Sequence, residues 1–181
     1  MRPSVPPLEV VRQLVPFIEE KLEYMIRQQV GDLLEIEFEG NWFYLIIITK
    51  IVMLGGNIVF AFHNNGQRMD RKSLMQIRSG FNICTDLLWP KRKGWVRRIG
   101  KVPHPEDYLK TELVKGTFET RQDKKAKLWY IYHISDLRNH IARVRLLTNE
   151  QKRAMDHATY SFDLVARKIM ERYTPDRDGR I

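Results

Sequence analysis

The sequence predicts an α+β fold: a curved antiparallel sheet or partly closed β-barrel, with amphipathic helices at the N- and C-terminal ends. Three observations carry this. Strand-like runs between residues 34 and 63 are joined by short Gly/Asn turns. Apolar residues recur at helical spacing near both ends of the chain. Apolar residues make up 43% of 181 residues, an ordinary globular proportion that argues against disorder.

In the first 30 residues, Val11, Leu14, Val15, Ile18, Leu22, Met25 and Ile26 form one apolar stripe, so a helix is expected over 8–30. Pro16 kinks or divides it, and Gly31 is the expected stop. This places an N-terminal helical extension at 1–30 and a single α+β domain at 31–181.

Alternation from Leu34 to Glu39 reads as a half-exposed strand whose acidic face, Glu35, Glu37 and Glu39, meets solvent. Trp42 to Val52 is almost wholly apolar and rich in β-branched residues, as in a central strand covered on both faces. A third strand runs from Ile58 to His63. The Gly-rich connections make these an antiparallel meander.

A short basic helix is expected at 70–78, a strand over Phe81–Trp89, a loop at Pro90–Gly94 and a strand over Trp95–Val102. Pro105, Glu106 and Asp107 suit a first helical turn. Thr117–Gln122 and Leu128–Ile134 are expected to pair across a charged turn, and Ala142, Val144 and Leu146 to mark another strand. Thr148 and Gln151 form a capping box. From Met155 through Phe162, Val165, Ala166 and Ile169 to Tyr173 the pattern predicts one long helix, ended by Thr174-Pro175. The polar tail, Asp176 to Ile181, is expected to fray.

Charge is unevenly placed. Residues 1–40 hold 4 bases and 8 acids, whereas 71–101 hold 9 bases against Asp86 alone. Such asymmetry points to a polyanion or an acidic protein partner. The sole cysteine, Cys84, excludes an internal disulfide and lies in an apolar run, where a thiol acts as a small hydrophobe. No two of His63, His104, His133, His140 and His157 stand three or four apart, although His133 and His140 could meet across a hairpin. No cofactor, metal or catalytic constellation is expected, and the chain does not read as an enzyme. The longest apolar run, Trp42–Leu54, contains Lys50 and has 13 residues, short of the ~20 a membrane helix needs. A cytoplasmic protein is expected.

The candidate site is the segment Trp89-Pro90-Lys91-Arg92-Lys93-Gly94-Trp95-Val96-Arg97-Arg98, with Lys101 beyond it. Trp89 and Trp95 interleave with Arg92, Arg97, Arg98 and Lys101. Aromatic and guanidinium groups anchor protein interfaces, and they also stack bases and neutralise phosphates. Alternation places Trp95 with Arg97 and Val96 with Arg98, without deciding which pair faces inward. As surface charges, the arginines are expected to be replaceable without loss of fold.

Three stretches resemble the bacterial Immunity protein 26 family of polymorphic toxin systems. They are Gly31-Asp32-Leu33-Leu34-Glu35-Ile36, Gly94-Trp95-Val96-Arg97-Arg98-Ile99-Gly100-Lys101-Val102-Pro103, and Phe118 through Leu128-Trp129-Tyr130-Ile131-Tyr132. The resemblance covers about 31–173 and implies a small α+β protein that protects its own cell by binding a cognate toxin. It carries no catalytic residues. The implied partner is a toxin or effector protein with an acidic surface; the alternative is a nucleic-acid-binding β-barrel module that uses 89–101.

Overall fold

The computed structural model describes residues 28–51, 55–118 and 124–181. Of the expected helix at 8–30, residues 28–30 are described and are not helical; the rest lies outside the described residues. The chain enters its first strand through Gly31, at φ 88°, whose N–H donates to Ile47 O and whose carbonyl accepts from Val102 N, both at 2.7 Å. A Cβ here would stand 2.7 Å from Val102 O, so glycine is needed both for its backbone angle and for this close approach.

Strands β1 (Asp32–Phe38), β2 (Asn41–Ile51), β3 (Gly56–Phe62) and β4 (Gly80–Thr85) form an antiparallel meander, and β5 (Val96–Lys101) adds antiparallel to β1. Helix α1 (Arg71–Gln76) follows β3, capped by the Asp70 carboxylate, which accepts from Ser73 N at 3.0 Å. The strand expected over Phe81–Trp89 stops at Thr85. The Asp86 carboxylate accepts from Leu88 N at 2.8 Å and starts helix α2 (Leu88–Arg92). The expected loop Pro90–Gly94 is therefore largely helix, ended by Gly94 at φ 72°.

After a 3-10 turn at Pro105–Tyr108, strands β6 (Leu113–Gly116), β7 (Trp129–His133) and β8 (Asp136–Val144) form a second antiparallel unit. The partner of β7 is thus 113–116 rather than 117–122, of which 119–122 lie outside the described residues.

The expected long C-terminal helix is broken. Its capping box is present, with Thr148 Oγ accepting from Gln151 N at 3.2 Å and Gln151 Oε1 from Thr148 N at 2.9 Å. It opens only the short helix α3 (Asn149–Arg153). The chain then extends as β9 (Met155–Asp156), parallel to β6, and β10 (Thr159–Tyr160), parallel to β4. Helix α4 (Phe162–Met170) follows. It ends before Thr174-Pro175, where Arg172 turns left-handed at φ 50° and Tyr173 N bonds Lys168 O at 2.8 Å.

The result is α+β, with two mixed sheets in place of one curved antiparallel sheet or partly closed barrel. One has six strands in the order β10-β4-β3-β2-β1-β5, the other four in the order β8-β7-β6-β9. The six-stranded sheet does not close, because its faces are covered from outside. Tyr44, Ile46, Ile58, Phe60 and Phe62 pack toward Val114, Leu137 and Met155 of the second sheet. Phe43, Leu45, Val59, Phe81 and Ile83 pack toward Phe162, Val165 and Ile169 of α4. Strand β2 is buried on both faces, as its composition predicts.

The tail is tied down, contrary to expectation. Arg180 makes a two-pronged hydrogen-bonded pair with buried Asp178 and reaches Asp156 Oδ2 at 3.1 Å. Lys115, whose side chain has 0% exposure, donates to Lys152 O and Pro175 O at 2.7 Å and stands 4.0 Å from Asp156. The polar tail is held because Asp178 pairs with Arg180, Arg180 pairs with Asp156, and Asp156 stands beside the buried Lys115 ammonium.

Phe162 and Ile169, 2% and 0% exposed, anchor α4. Replacing either by Ala is expected to cost roughly 2–5 kcal/mol in a urea melt, against under about 0.5 kcal/mol for exposed Arg167→Ala. Equal costs would place the wrong helix face in the core. Acid should loosen the tail. Burial opposes ionisation of Asp178, but hydrogen bonds from Arg180 outweigh it and hold the carboxyl below its ordinary value. A lowered folded pKa gives stability that is present above the unfolded value of about 3.9 and lost as pH falls through the folded one. Asp178→Asn is expected to start less stable at pH 6 and to decline less steeply below about pH 4.

Candidate functional site

Helix α2 and strand β5 meet at Gly94, and this corner brings the two expected tryptophans together. The Trp89 and Trp95 rings lie edge to face with centroids 4.7 Å apart. Trp95 is half-buried and continues into the core through Phe38, at 5.3 Å, which in turn touches Phe162 at 5.7 Å. Trp89 sits on the outside, 48% exposed. Val96, 8% exposed, is the residue of this run buried in the helix-side core; Trp95, just before β5, touches that core from the sheet margin and also lines a cleft beside Arg97.

The bases of the segment diverge. Arg97 shares a face with Glu35, its register partner on β1, and donates to Glu35 Oε1 through Nε at 3.0 Å and also through its terminal nitrogen. Glu35 is 3% exposed, which corrects the expected solvent-facing position of that residue; Glu37 and Glu39 are exposed, as expected. Its other oxygen stands 3.1 Å from the Tyr44 hydroxyl, which accepts from Met69 N at 2.8 Å. Burial, then the neighbouring Glu35 charge, push the Tyr44 phenol above its ordinary value. Arg98 points to the opposite face, 3.8 Å from buried Asp32. Lys101, at the far end of β5, donates to Gln29 Oε1 at 3.3 Å. Arg92 is exposed at the end of α2.

The cleft, of about 520 Å³, is lined by Glu35, Glu37 and Glu39 from the β1 end, Trp95 just before β5, Arg97 within β5, and by Trp42 and Arg68. The Arg68 guanidinium lies 4.3 Å above the Trp42 ring. Carboxylates, guanidinium groups and indoles thus share one concave surface. Nothing local marks Trp42 and Arg68 as partners, since they stand 26 positions apart and only the β2–β3 pairing and the loop after β3 bring them together.

The other candidates do not assemble. His133 bonds Ser135 Oγ at 2.7 Å and Glu112 Oε2 at 2.8 Å, whereas His140 lies against the Tyr130 and Tyr132 rings. Cys84 is fully buried, its thiol raised by desolvation. Among the described residues, no three of His, Cys, Asp and Glu stand close enough to hold a metal ion, and no helix is long and apolar enough to cross a membrane.

The engaged state of Arg97 changes the expected tolerance of this segment. Arg97→Ala leaves a buried carboxylate short of its charged donor and is expected to cost about 1–3 kcal/mol, whereas Arg92→Glu should cost under about 0.5 kcal/mol. Paired urea melts check this; an Arg97→Ala variant as stable as wild type would show that Tyr44 and water suffice to compensate Glu35. Comparison with family models, curated proteins and solved structures finds no match to this chain.

Proposed function

We propose that this protein is an immunity protein, which binds a cognate bacterial toxin by direct stoichiometric contact and so neutralises it. The contact surface in this reading is the α2–β5 corner together with the adjoining cleft. One observation carries it: the half-exposed Trp89, seated on core-anchored Trp95 beside a concave surface of mixed charge. A rigid aromatic anchor with a charged rim suits a protein partner, since such residues supply most of the energy at interfaces while rim charges govern encounter and specificity. Arg92 and Lys93 are exposed at the end of α2 and favour an acidic patch on the partner. The resemblance of Gly31–Ile36, Gly94–Pro103 and Phe118–Tyr132 to an immunity family supports the same reading.

A polyanion fits this corner less well. Arg97 and Arg98 are already paired with Glu35 and Asp32, and Glu37 and Glu39 line the same cleft. A phosphate backbone would meet those carboxylates as it approached.

The test is co-expression with the product of the neighbouring gene, followed by titration calorimetry and a toxin-protection assay. A 1:1 complex is expected. Trp89→Ala should weaken it by about 30-fold, mainly through faster dissociation, and Arg92→Glu should slow association at low salt. Both variants should melt like the wild type. Folded variants that protect cells fully would remove this corner from the interface; the lack of any complex would sink the immunity reading itself.

A further inference from the structure

The second sheet carries a surface of different character. On its outward face the rings of Phe118, Tyr130 and His140 form a row, with centroids 5.3 Å apart at each step. Phe118 is 86% exposed, and His140 is exposed on the edge strand β8. The row continues inward to Tyr132, which is stacked on His157 at 4.5 Å and 18°, so its inner end is fixed and its outer end is open.

Bases flank the open end. The Arg143 guanidinium lies 5.8 Å from the centre of the Tyr130 ring, and Arg143 faces Tyr130 in the strand register. A depression beside it is lined by Lys127, Arg143 and Arg145 with Ala126 and Leu128, so every ionisable group that lines it among the described residues is a base. Over 124–145 the chain holds 6 bases against Asp136 alone. That carboxylate is turned to the far end of β8, where it accepts from the backbone N–H groups of Arg138 and Asn139 at 3.1 and 3.3 Å.

From these contacts we infer that the outward face of the second sheet binds single-stranded nucleic acid. Lys127, Arg143 and Arg145 take the phosphates, and Phe118 and Tyr130 stack the bases. Exposed rings on a sheet give a platform that any base can cover, and cations beside it follow the backbone. Charge complementarity selects this occupant over an apolar partner. The open rings select it over an acidic protein tail, which offers no planar group to stack. The inference does not depend on the toxin-binding reading, whose surface lies on the other sheet.

Fluorescence anisotropy with a labelled 20-nucleotide oligo-dU, and the same length of oligo-dT, tests it on the full chain over a range of salt. Binding is expected at low salt and should weaken as salt rises. Arg143→Ala with Arg145→Ala should reduce the slope of log affinity against log salt by about 1.4, since each lost phosphate contact on a single strand is worth roughly 0.7. Phe118→Ala leaves the charge unchanged and is expected to weaken binding at least about fivefold. Trp89→Ala should have no effect. If the double variant melts early, Lys127→Ala reads half of the same slope change. The inference is overturned if neither oligonucleotide binds, if a duplex or poly-glutamate binds as well as the single strand, if Phe118→Ala is silent, or if Trp89→Ala alone abolishes binding.

Discussion

An ammonium group with no exposed surface must be compensated where it lies, and Lys115 is such a group, set in β6 at the centre of the second sheet. Its partners come from three places in the chain: carbonyls of Lys152 and Pro175, and the Asp156 carboxylate. Asp156 also accepts from Tyr160 and pairs with Arg180, which holds Asp178. Burial pushes the Lys115 ammonium below its ordinary value, with Asp156 acting against that push. Satisfying one buried cation thus fixes where α3 ends and where the final residues of the chain lie.

The same cluster explains how the two sheets are held together. Within six residues the chain adds a parallel strand to each: Met155–Asp156 to β6 and Thr159–Tyr160 to β4. The Thr85 hydroxyl donates to Tyr160 O at 2.9 Å on one side, and His157 N donates to Lys115 O at 2.8 Å on the other. Helix α4 then leaves this clasp to cover the far face of the first sheet, with Lys168 lying 3.3 Å above the Tyr173 ring on its way to the tail. Buried charge here selects one arrangement of layers, since any other would strand an unpaired ion.

Much of the candidate site was legible as composition and little of it as geometry. Trp89 and Trp95 do meet, as their interleaving with bases suggested, because α2 and the turn at Gly94 fold them onto each other. The arginines on β5 look alike in sequence but differ in role. Arg97 faces Glu35 and Arg98 faces Asp32, two buried carboxylates on the adjacent strand, so part of this basic run compensates the sheet edge. Strand pairing decides that, and nothing within ten residues of either arginine carries the signal.

What the sequence by itself determined is what local periodicity and turn chemistry can encode. The meander from Asp32 to Phe62, the doubly buried β2, the capping box at Thr148 and the buried face of α4 are all written in spacings of two, three and four residues. Tertiary structure decided what those spacings leave degenerate. Met155 to Tyr173 has helical periodicity throughout, yet 155–160 is extended, because pairing with β6 and β4 outweighs the small helix preference of a short segment. Sheet closure was likewise open: a meander can curl shut or be covered, and the apolar faces of Val114, Leu137, Met155 and α4 cover it. Polarity alone predicts a free, solvated tail. Only the tertiary fold sets Asp156 beside both Lys115 and Arg180, so that Arg180, with Asp178, ties the tail to the carboxylate that faces the buried cation.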